Sequence, residues 1–359
     1  MNEVAVSVGT SRYPVIIGKD VLNGYDTRSI FSRYDRCGIL VSETVYSLHN
    51  EKIDTFVAGI DRAKVIQYPD SEKNKSYQFA EEFFKWMLSE GFTRHSILVA
   101  IGGGVTGDFG GYLSAFYMRG IDIVQVPTTL LSMVDSSVGG KVAVNISSGK
   151  NIVGSFHQPV LVLADISFLN TLPLDEFKNG MAEIVKHALI GDSESVKILE
   201  SHNLKSIVES DDIIPLVQNS VQFKASVVAQ DEREGGIRAI LNYGHTIGHA
   251  VESLVKYEGI SHGQAVAMGL LVESELSLRS GLLDQHDYGI IKDMIGRYAL
   301  IPGTHNFDTG QLVAHLKYDK KNVGDEIRFV LLNGIGKPVY NQLVDDDLLF
   351  EVLNDHYGK

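Results

Sequence analysis

Two histidines four residues apart, His245 and His249 in LNYGHTIGHAVES, are the first groups in this chain whose type and spacing suggest chemistry. Positions i and i+4 of a helix share a face, so the pair could present two imidazoles to one metal ion. The spacing is that of the zinc helix H-E-x-x-H, but Thr246 stands where that motif carries its general base, which argues against peptide hydrolysis. Other ligands are at hand. NGMAEIVKHALIGD carries Glu183, Lys186 and His187, and ISHGQAVAMG puts His262 at the start of an apolar segment. A mixed carboxylate and imidazole set suits zinc, and three protein ligands leave a position open for substrate. Spacing alone does not decide which of these converge, and a histidine satisfied within its helix is commoner than a ligand.

A second centre is SILVAIGGGVTGDFGG (96–111): a strand, a glycine-rich turn and a helix start. Such a turn lets backbone amides and a helix N-terminus face a phosphate. The glycines fit neither G-x-G-x-x-G nor the Walker A loop, and a tight β-to-α turn would need glycine without any ligand. The following stretch, VPTTLLSMVDSSVGGKVAVNISSGKN (126–151), gathers Thr128, Thr129, Asp135, Ser136, Lys141, Asn145, Lys150 and Asn151. Lysines beside glycines there suggest a phosphate-facing loop. A solvated Gly/Ser loop is the plain alternative.

These groups sit in an acidic chain. Thirty-two basic against 45 acidic side chains give a net charge of −13, which disfavours nucleic-acid binding. An anionic ligand therefore requires cations gathered locally. The single cysteine, Cys37, rules out an intrachain disulfide and a thiolate metal cluster, so a reducing cytoplasm is the expected compartment. No leader peptide and no apolar run of membrane-spanning length is read in the sequence.

The elements that must position these residues divide into two kinds. Up to about residue 171, VAVSV (4–8), YPVIIG (13–18), CGILVS (37–42), AKVIQY (63–68), SILVAI (96–101) and IDIVQVP (121–127) read as strands, with 37–42, 63–68 and 96–101 as buried ones. EEFFKWMLSEG (81–91) reads as a helix with a glycine stop. This alternation predicts an α/β domain, residues 1–171, with a parallel sheet and helices on both faces. Beyond it the apolar periodicity becomes helical over 176–190, 211–229, 243–256, 263–281 and 286–298, with IRFVLL (327–332) as the one strand signal. An all-α domain, 172–359, is expected.

Taken together and in order, GGGVTGDFGGYLSAFYMRG, PTTLLSMVDSSVGGKVAVN, GKNIVGSFHQP, MAEIVKHALIGD, ILNYGHTIGHAVE and SHGQAVAMG resemble the 3-dehydroquinate synthase family over nearly the whole chain. The resemblance implies a Rossmann-like NAD domain joined to a helical domain that binds metal and substrate. It implies Zn2+ or Co2+ on Glu183, His245 and His262, with His249 facing the substrate phosphate instead of the metal. It assigns NAD contacts to Glu72, Lys75, Gly103, Gly104, Asp108, Thr128, Thr129, Leu131, Asp135, Ser136, Lys141, Lys150, Asn151, Phe168, Thr171 and Glu176. It assigns the substrate site to Asp135, Lys141, Asn151, Lys186, Lys224, Arg238, Asn242, His249 and Lys320. Arg119 resembles a residue that reaches the phosphate of a neighbouring subunit, implying a homodimer.

The implied reaction turns 3-deoxy-D-arabino-heptulosonate 7-phosphate into 3-dehydroquinate and phosphate by oxidation, β-elimination, reduction and intramolecular aldol closure, with NAD regenerated. Such a substrate carries a carboxylate and a phosphate, to which the proposed lysines and Arg238 are complementary. Cyclases making an inosose or valiolone ring act on substrates without the carboxylate, so Lys224 and Arg238 favour dehydroquinate. A metal- and NAD-dependent polyol dehydrogenase and a non-catalytic NAD-binding protein are the remaining alternatives. Two departures stand out. Ser42 lies where the family often has Asp or Asn, which leaves the adenosine ribose without its expected partner, and Gln264 lies where Glu is frequent.

Overall fold

The computed structural model, described for all residues except 148, 257–258, 302, 304, 318–325 and 359, has two units, Met1–Pro173 and Leu174–Lys359. The first contains β1 (Asn2–Val8), β2 (Ser11–Gly18), the single turns α1 (Val21–Gly24) and α2 (Arg28–Phe31), β3 (Cys37–Ser42), α3 (Glu43–Ala58), β4 (Ala63–Tyr68), α4 (Tyr77–Ser89), β5 (Ile97–Gly102), α5 (Gly104–Phe116), β6 (Asp122–Pro127), β7 (Lys141–Ile146), β8 (Gly149–Phe156) and β9 (Leu161–Asp165). Seven strands form one sheet in the order β1-β2-β9-β6-β5-β3-β4. Every pairing in it is parallel except β1 with β2.

The central strands β3 and β5 are buried at every residue, as expected for strands covered on both faces. The expectation of a buried strand at 63–68 is corrected. β4 closes the sheet at one edge and only Tyr68 is buried along it. Its β-branched residues serve an edge, where one side of the ladder has no neighbour. Tyr68 stacks on Phe109 of α5 with ring centroids 4.4 Å apart, and Phe83 of α4 meets Phe109 edge-on at 5.2 Å. This aromatic cluster anchors α4 and α5 to the sheet. The polar stretch 141–156 is a hairpin of β7 and β8 and not a loop. The glycines of VGGK take positive φ, 101° at Gly139 and 69° at Gly140, so they shape the entry to that hairpin.

The second unit contains α6 (Leu174–Gly191), α7 (Ser193–Ser201), α8 (Leu204–Val208), α9 (Ile213–Gln230), α10 (His245–Leu254), α11 (His262–Arg279), α12 (Gln285–Arg297), α13 (Thr309–Lys317), β10 (Arg328–Leu332), β11 (Pro338–Leu343) and α14 (Asp346–Tyr357). It is mainly helical, with one antiparallel hairpin of which the sequence signalled only β10. Among the described residues, no helix is long and apolar enough to cross a membrane. Helix α6 is buried all round from Asn179 to Ile190, the mark of a central core helix. Helix α10 has two faces. Ile247, Ala250 and Val251 join a core with Ala265, Met268, Val272 and Leu276 of α11 and with residues of α13, the hairpin and α14. His245, His249 and Glu252, at i, i+4 and i+7, form the other stripe.

The crossing of α10 and α11 is unusually close. A Cβ placed on Gly269 would lie 1.8 Å from the carbonyl oxygen of Gly244, and one on Gly248 would lie 3.0 Å from that of Ala265. Gly244 itself has φ +78°. Only glycine meets both demands at this crossing. Gly269→Ala is therefore expected to force the helices apart and lower unfolding free energy by at least about 1–3 kcal/mol, read as a lowered urea midpoint at unchanged slope.

Candidate functional site

In the Leu174–Lys359 unit, three side chains from three helices point at one another. His245 opens α10, His262 opens α11, and Glu183 lies midway along α6. Both imidazole Nε2 atoms lie 3.6 Å from Glu183 Oε1, and one ligand atom from each residue falls within 4.8 Å of the other two. Each histidine is aimed by its other nitrogen. His245 Nδ1–H donates to the Tyr243 carbonyl at 3.3 Å, and His262 Nδ1–H donates to Glu252 at 3.4 Å. Both Nε2 atoms are thereby turned toward Glu183, where a metal would sit. One carboxylate and two imidazoles form a donor set suited to Zn2+ or Co2+.

The helix ends that carry these ligands are built with care. Ser261 caps α11 and Gln264 returns the bond, its side chain accepting from Ser261 N at 3.0 Å. Glutamine thus completes a capping box as glutamate would, which resolves the Gln264 departure. Asn179 Oδ1 of α6 accepts from Ser261 Oγ at 2.6 Å and from Gly263 N at 3.1 Å, tying this start to the central helix. At the start of α10, the fully buried Glu273 accepts from Gly244 N at 2.7 Å and Ile247 N at 3.4 Å. A carboxylate there satisfies amides that the helix cannot.

The electrostatics keep the carboxylate ionised. Burial would raise the Glu183 carboxyl, but Lys186 one turn along α6, with His262 and His245, holds it well below the usual range. Burial and nearby Lys186 hold the His245 imidazole well below its ordinary value, so it stays neutral. Burial would lower His262 too, but its bonds to Glu183 and Glu252 push it up to about 10. A metal ion must therefore displace a proton from His262.

Other expected residues of this unit fall nearby or apart. His249 is half-buried, its ring perpendicular to that of His245 with centroids 5.3 Å apart. His187 is fully buried beside Phe223, its Nε2 4.0 Å from Glu183. Lys186, Lys224 and Arg238 are buried cations. The backbone N of Arg238 donates to Asp231 at 3.1 Å, its guanidinium donates to the Glu232 carbonyl, and Asn242 donates to Glu234 at 2.8 Å. Glu176 sits in the first turn of α6 and accepts from Asn179. Lys320 lies outside the described residues.

In the Met1–Pro173 unit, β5 runs into Gly103, which caps α5 with no side chain of its own. A Cβ on Gly103 would come 3.1 Å from Thr129, so glycine leaves the first amides of α5 open to an anion. Beside it, Thr129 and Ser132 bond each other, and Ser132–Ser136 is a π-helical turn containing Asp135. Thr128 is buried, and its hydroxyl has no partner among the described residues. An open cradle and an unsatisfied hydroxyl fit a dinucleotide phosphate. The buried Lys75 joins Asp108 of α5 to Asn151 of β8, bonding the latter at 2.6 Å. Glu72 accepts from Asn145 at 2.8 Å, and Asn151 N donates to Asn145 Oδ1. Phe168 and Thr171 lie together against His49, and Leu131 is half-buried. Lys141 and Lys150 are exposed on the hairpin. Arg119 is exposed in a turn where Met118 and Arg119 both take positive φ.

Glu252 and Glu273 are absent from the sequence assignments. Glu252 was visible as the i+7 member of the His245 stripe, whereas Glu273 needed the helix crossing to be seen. Glu252→Ala should weaken Zn2+ binding about 10- to 100-fold, measured by competition with a chromophoric chelator. Glu252→Gln, which keeps an acceptor, should lose less.

A family model described as the 3-dehydroquinate synthase N-terminal region matches residues 65–179, and one described as the C-terminal region matches residues 180–322. The chain is 39% identical over 362 residues to the 3-dehydroquinate synthase of Thermodesulfovibrio yellowstonii, covering 99% of this chain and 100% of that protein. A 2-deoxy-scyllo-inosose synthase solved with carbaglucose-6-phosphate, NAD+ and Co2+ superposes with a TM-score of 0.90 at 27% identity, over 99% of this chain and 100% of the other. The 2-epi-5-epi-valiolone synthase of Streptomyces hygroscopicus subsp. jinggangensis 5008, with NAD+ and Zn2+ bound, gives 0.87 at 28%, over 97% and 98%. Family matches that adjoin at residue 180 and a relative aligned from end to end agree with the geometry above: the chain belongs to the 3-dehydroquinate synthase family.

Proposed function

We propose that this chain converts 3-deoxy-D-arabino-heptulosonate 7-phosphate into 3-dehydroquinate and phosphate. The observation that carries the reading is the convergence of Glu183, His245 and His262 beside buried cations, in a chain of this family. NAD+ on the β5–α5 loop would supply a hydride acceptor, and Zn2+ or Co2+ on the triad would supply Lewis acidity at adjacent substrate hydroxyls. Lys186 keeps Glu183 ionised and ready to ligate. Arg238 offers a planar fork to the substrate carboxylate, and Lys224 adds a second buried cation. These two favour the carboxylate-bearing substrate over inosose- or valiolone-forming ones. His249 stands one helical turn from His245, facing the substrate phosphate, and that phosphate takes the C6 proton as it leaves. The protein's contribution is orientation and fixed charge.

The functional unit is a homodimer in which Arg119 serves the phosphate of the partner's site. What supports this is an exposed arginine held in a left-handed turn, a costly backbone state kept where position matters.

Two measurements test these readings. With the heptulosonate phosphate, catalytic NAD+ and zinc, the protein should release inorganic phosphate without net NADH. A chelator should stop the release, and His245→Ala should lose metal and more than about a hundredfold in rate. Phosphate release that ignores chelation would remove the metal from the mechanism. Arg119→Ala and His245→Ala should each be nearly inactive, yet mixing and reassociating them should restore activity, because a mixed dimer contains one complete site. Absence of complementation would place Arg119 outside the partner's site.

A further inference from the structure

The segment between α9 and α10 carries two residues of the proposed substrate site, Arg238 and Asn242, and one side chain shapes its course. Asp231 caps the end of α9, its backbone N–H donating to the Val227 carbonyl at 3.2 Å. Its carboxylate accepts three backbone amides from the residues ahead. Oδ1 takes Gly235 N at 2.9 Å, and Oδ2 takes Gly236 N at 2.7 Å and Arg238 N at 3.1 Å. Successive amides in a turn form a concavity for an anion, and here the chain fills that concavity with its own carboxylate. The Gly235 amide foremost, with those of Gly236 and Arg238, holds the Asp231 carboxyl below its usual range.

The wrapped loop fixes more than itself. It leads directly into a 3-10 turn, Ile237–Asn242, which ends three residues before His245 at the head of α10. The guanidinium of Arg238 donates to the Glu232 carbonyl within the loop. Glu234, held at φ +61°, accepts from the Asn242 amide at 2.8 Å. A left-handed glutamate persists only where its surroundings impose it, and the bonds to Asp231 on either side of the loop do so. The main chain of Arg238 is therefore bonded to Asp231 directly, and the side chains of Arg238 and Asn242 are bonded to the loop that Asp231 closes.

We propose that Asp231 is a positioning residue for substrate binding, acting through the backbone to hold Arg238 and Asn242 where the substrate carboxylate is received. The proposal rests on the substrate reading above. Asp231 belongs to none of the residue sets that the family resemblance assigns, and its carboxylate is turned to main-chain amides of its own loop. An asparagine in its place has one acceptor oxygen. Whichever way that amide turns, its NH2 group faces at least one of the three backbone N–H groups, and the wrap loosens there. Groups that grip the substrate away from the reacting carbons act alike in the ground and transition states, so their displacement falls on KM before kcat.

The test measures phosphate release against heptulosonate phosphate concentration, with zinc and saturating NAD+, for the wild type, Asp231→Asn and Asp231→Glu. Asp231→Asn should raise KM about 10-fold or more, with a smaller change in kcat. Asp231→Glu, which keeps the charge but moves it by one methylene, should recover part of the loss. Zn2+ affinity, read by competition with a chromophoric chelator, should match the wild type in both variants. In an Arg238→Lys background, Asp231→Asn should raise KM by a smaller factor than it does in the wild type, because the two changes act on one contact. A wild-type KM in folded Asp231→Asn overturns the proposal, as does a loss confined to kcat or to thermal stability, and each leaves the substrate reading intact. Should Asp231→Asn not fold, a wild-type KM in Asp231→Glu overturns it instead. A wild type that releases no phosphate from this substrate removes the substrate reading and the proposal with it.

Discussion

Much of the metal half of this protein depends on how closely α10 and α11 approach. Both metal-facing histidines are the first residues of their helices, so any change in that crossing moves them relative to each other. The approach is set by backbone against backbone at Gly244 and Gly269, with Gly248 and Ala265 beside them. Interiors packed at this density have little compliance, so the separation of the two imidazoles is inherited from sterics and not from the imidazoles themselves. Glu273 completes the arrangement by reaching from α11 to cap α10.

The same region concentrates buried charge in an acidic protein. Glu183, Lys186, Lys224, Arg238 and Glu273 are all nearly inaccessible. Ions out of water are costly unless paired, and here each serves another group: Lys186 pairs with Glu183, and Glu273 answers backbone amides. The desolvation that makes these groups expensive also strengthens their fields on a bound anion. The first unit works differently, with open backbone amides at the start of α5 and a lysine, Lys75, that braces side chains of α5 and β8.

Much of this was legible in the sequence, for identifiable reasons. Apolar runs such as 37–42 and 97–102 declare themselves because both faces of a central strand are covered. The same signal misleads at 63–68, since β-branched residues suit an edge as well as a centre. β11 is half-buried or exposed along its whole length, so its residues carry no run of apolar side chains to mark a strand. At the metal site, residue type and helical spacing nominate Glu183, His187, His245, His249 and His262, but which of them meet depends on how three helices cross. Family resemblance chose Glu183, His245 and His262, and the geometry brings those three together. Glu273 lay beyond any local pattern, because it joins two helices remote in sequence.

All three metal-facing groups belong to the Leu174–Lys359 unit, and the β5–α5 cradle belongs to the Met1–Pro173 unit. By mass action, a ligand that binds only the folded form stabilises what it binds. On the proposed function, the supplies of divalent metal and of dinucleotide would both bear on how long the folded protein lasts, each entering through a different unit.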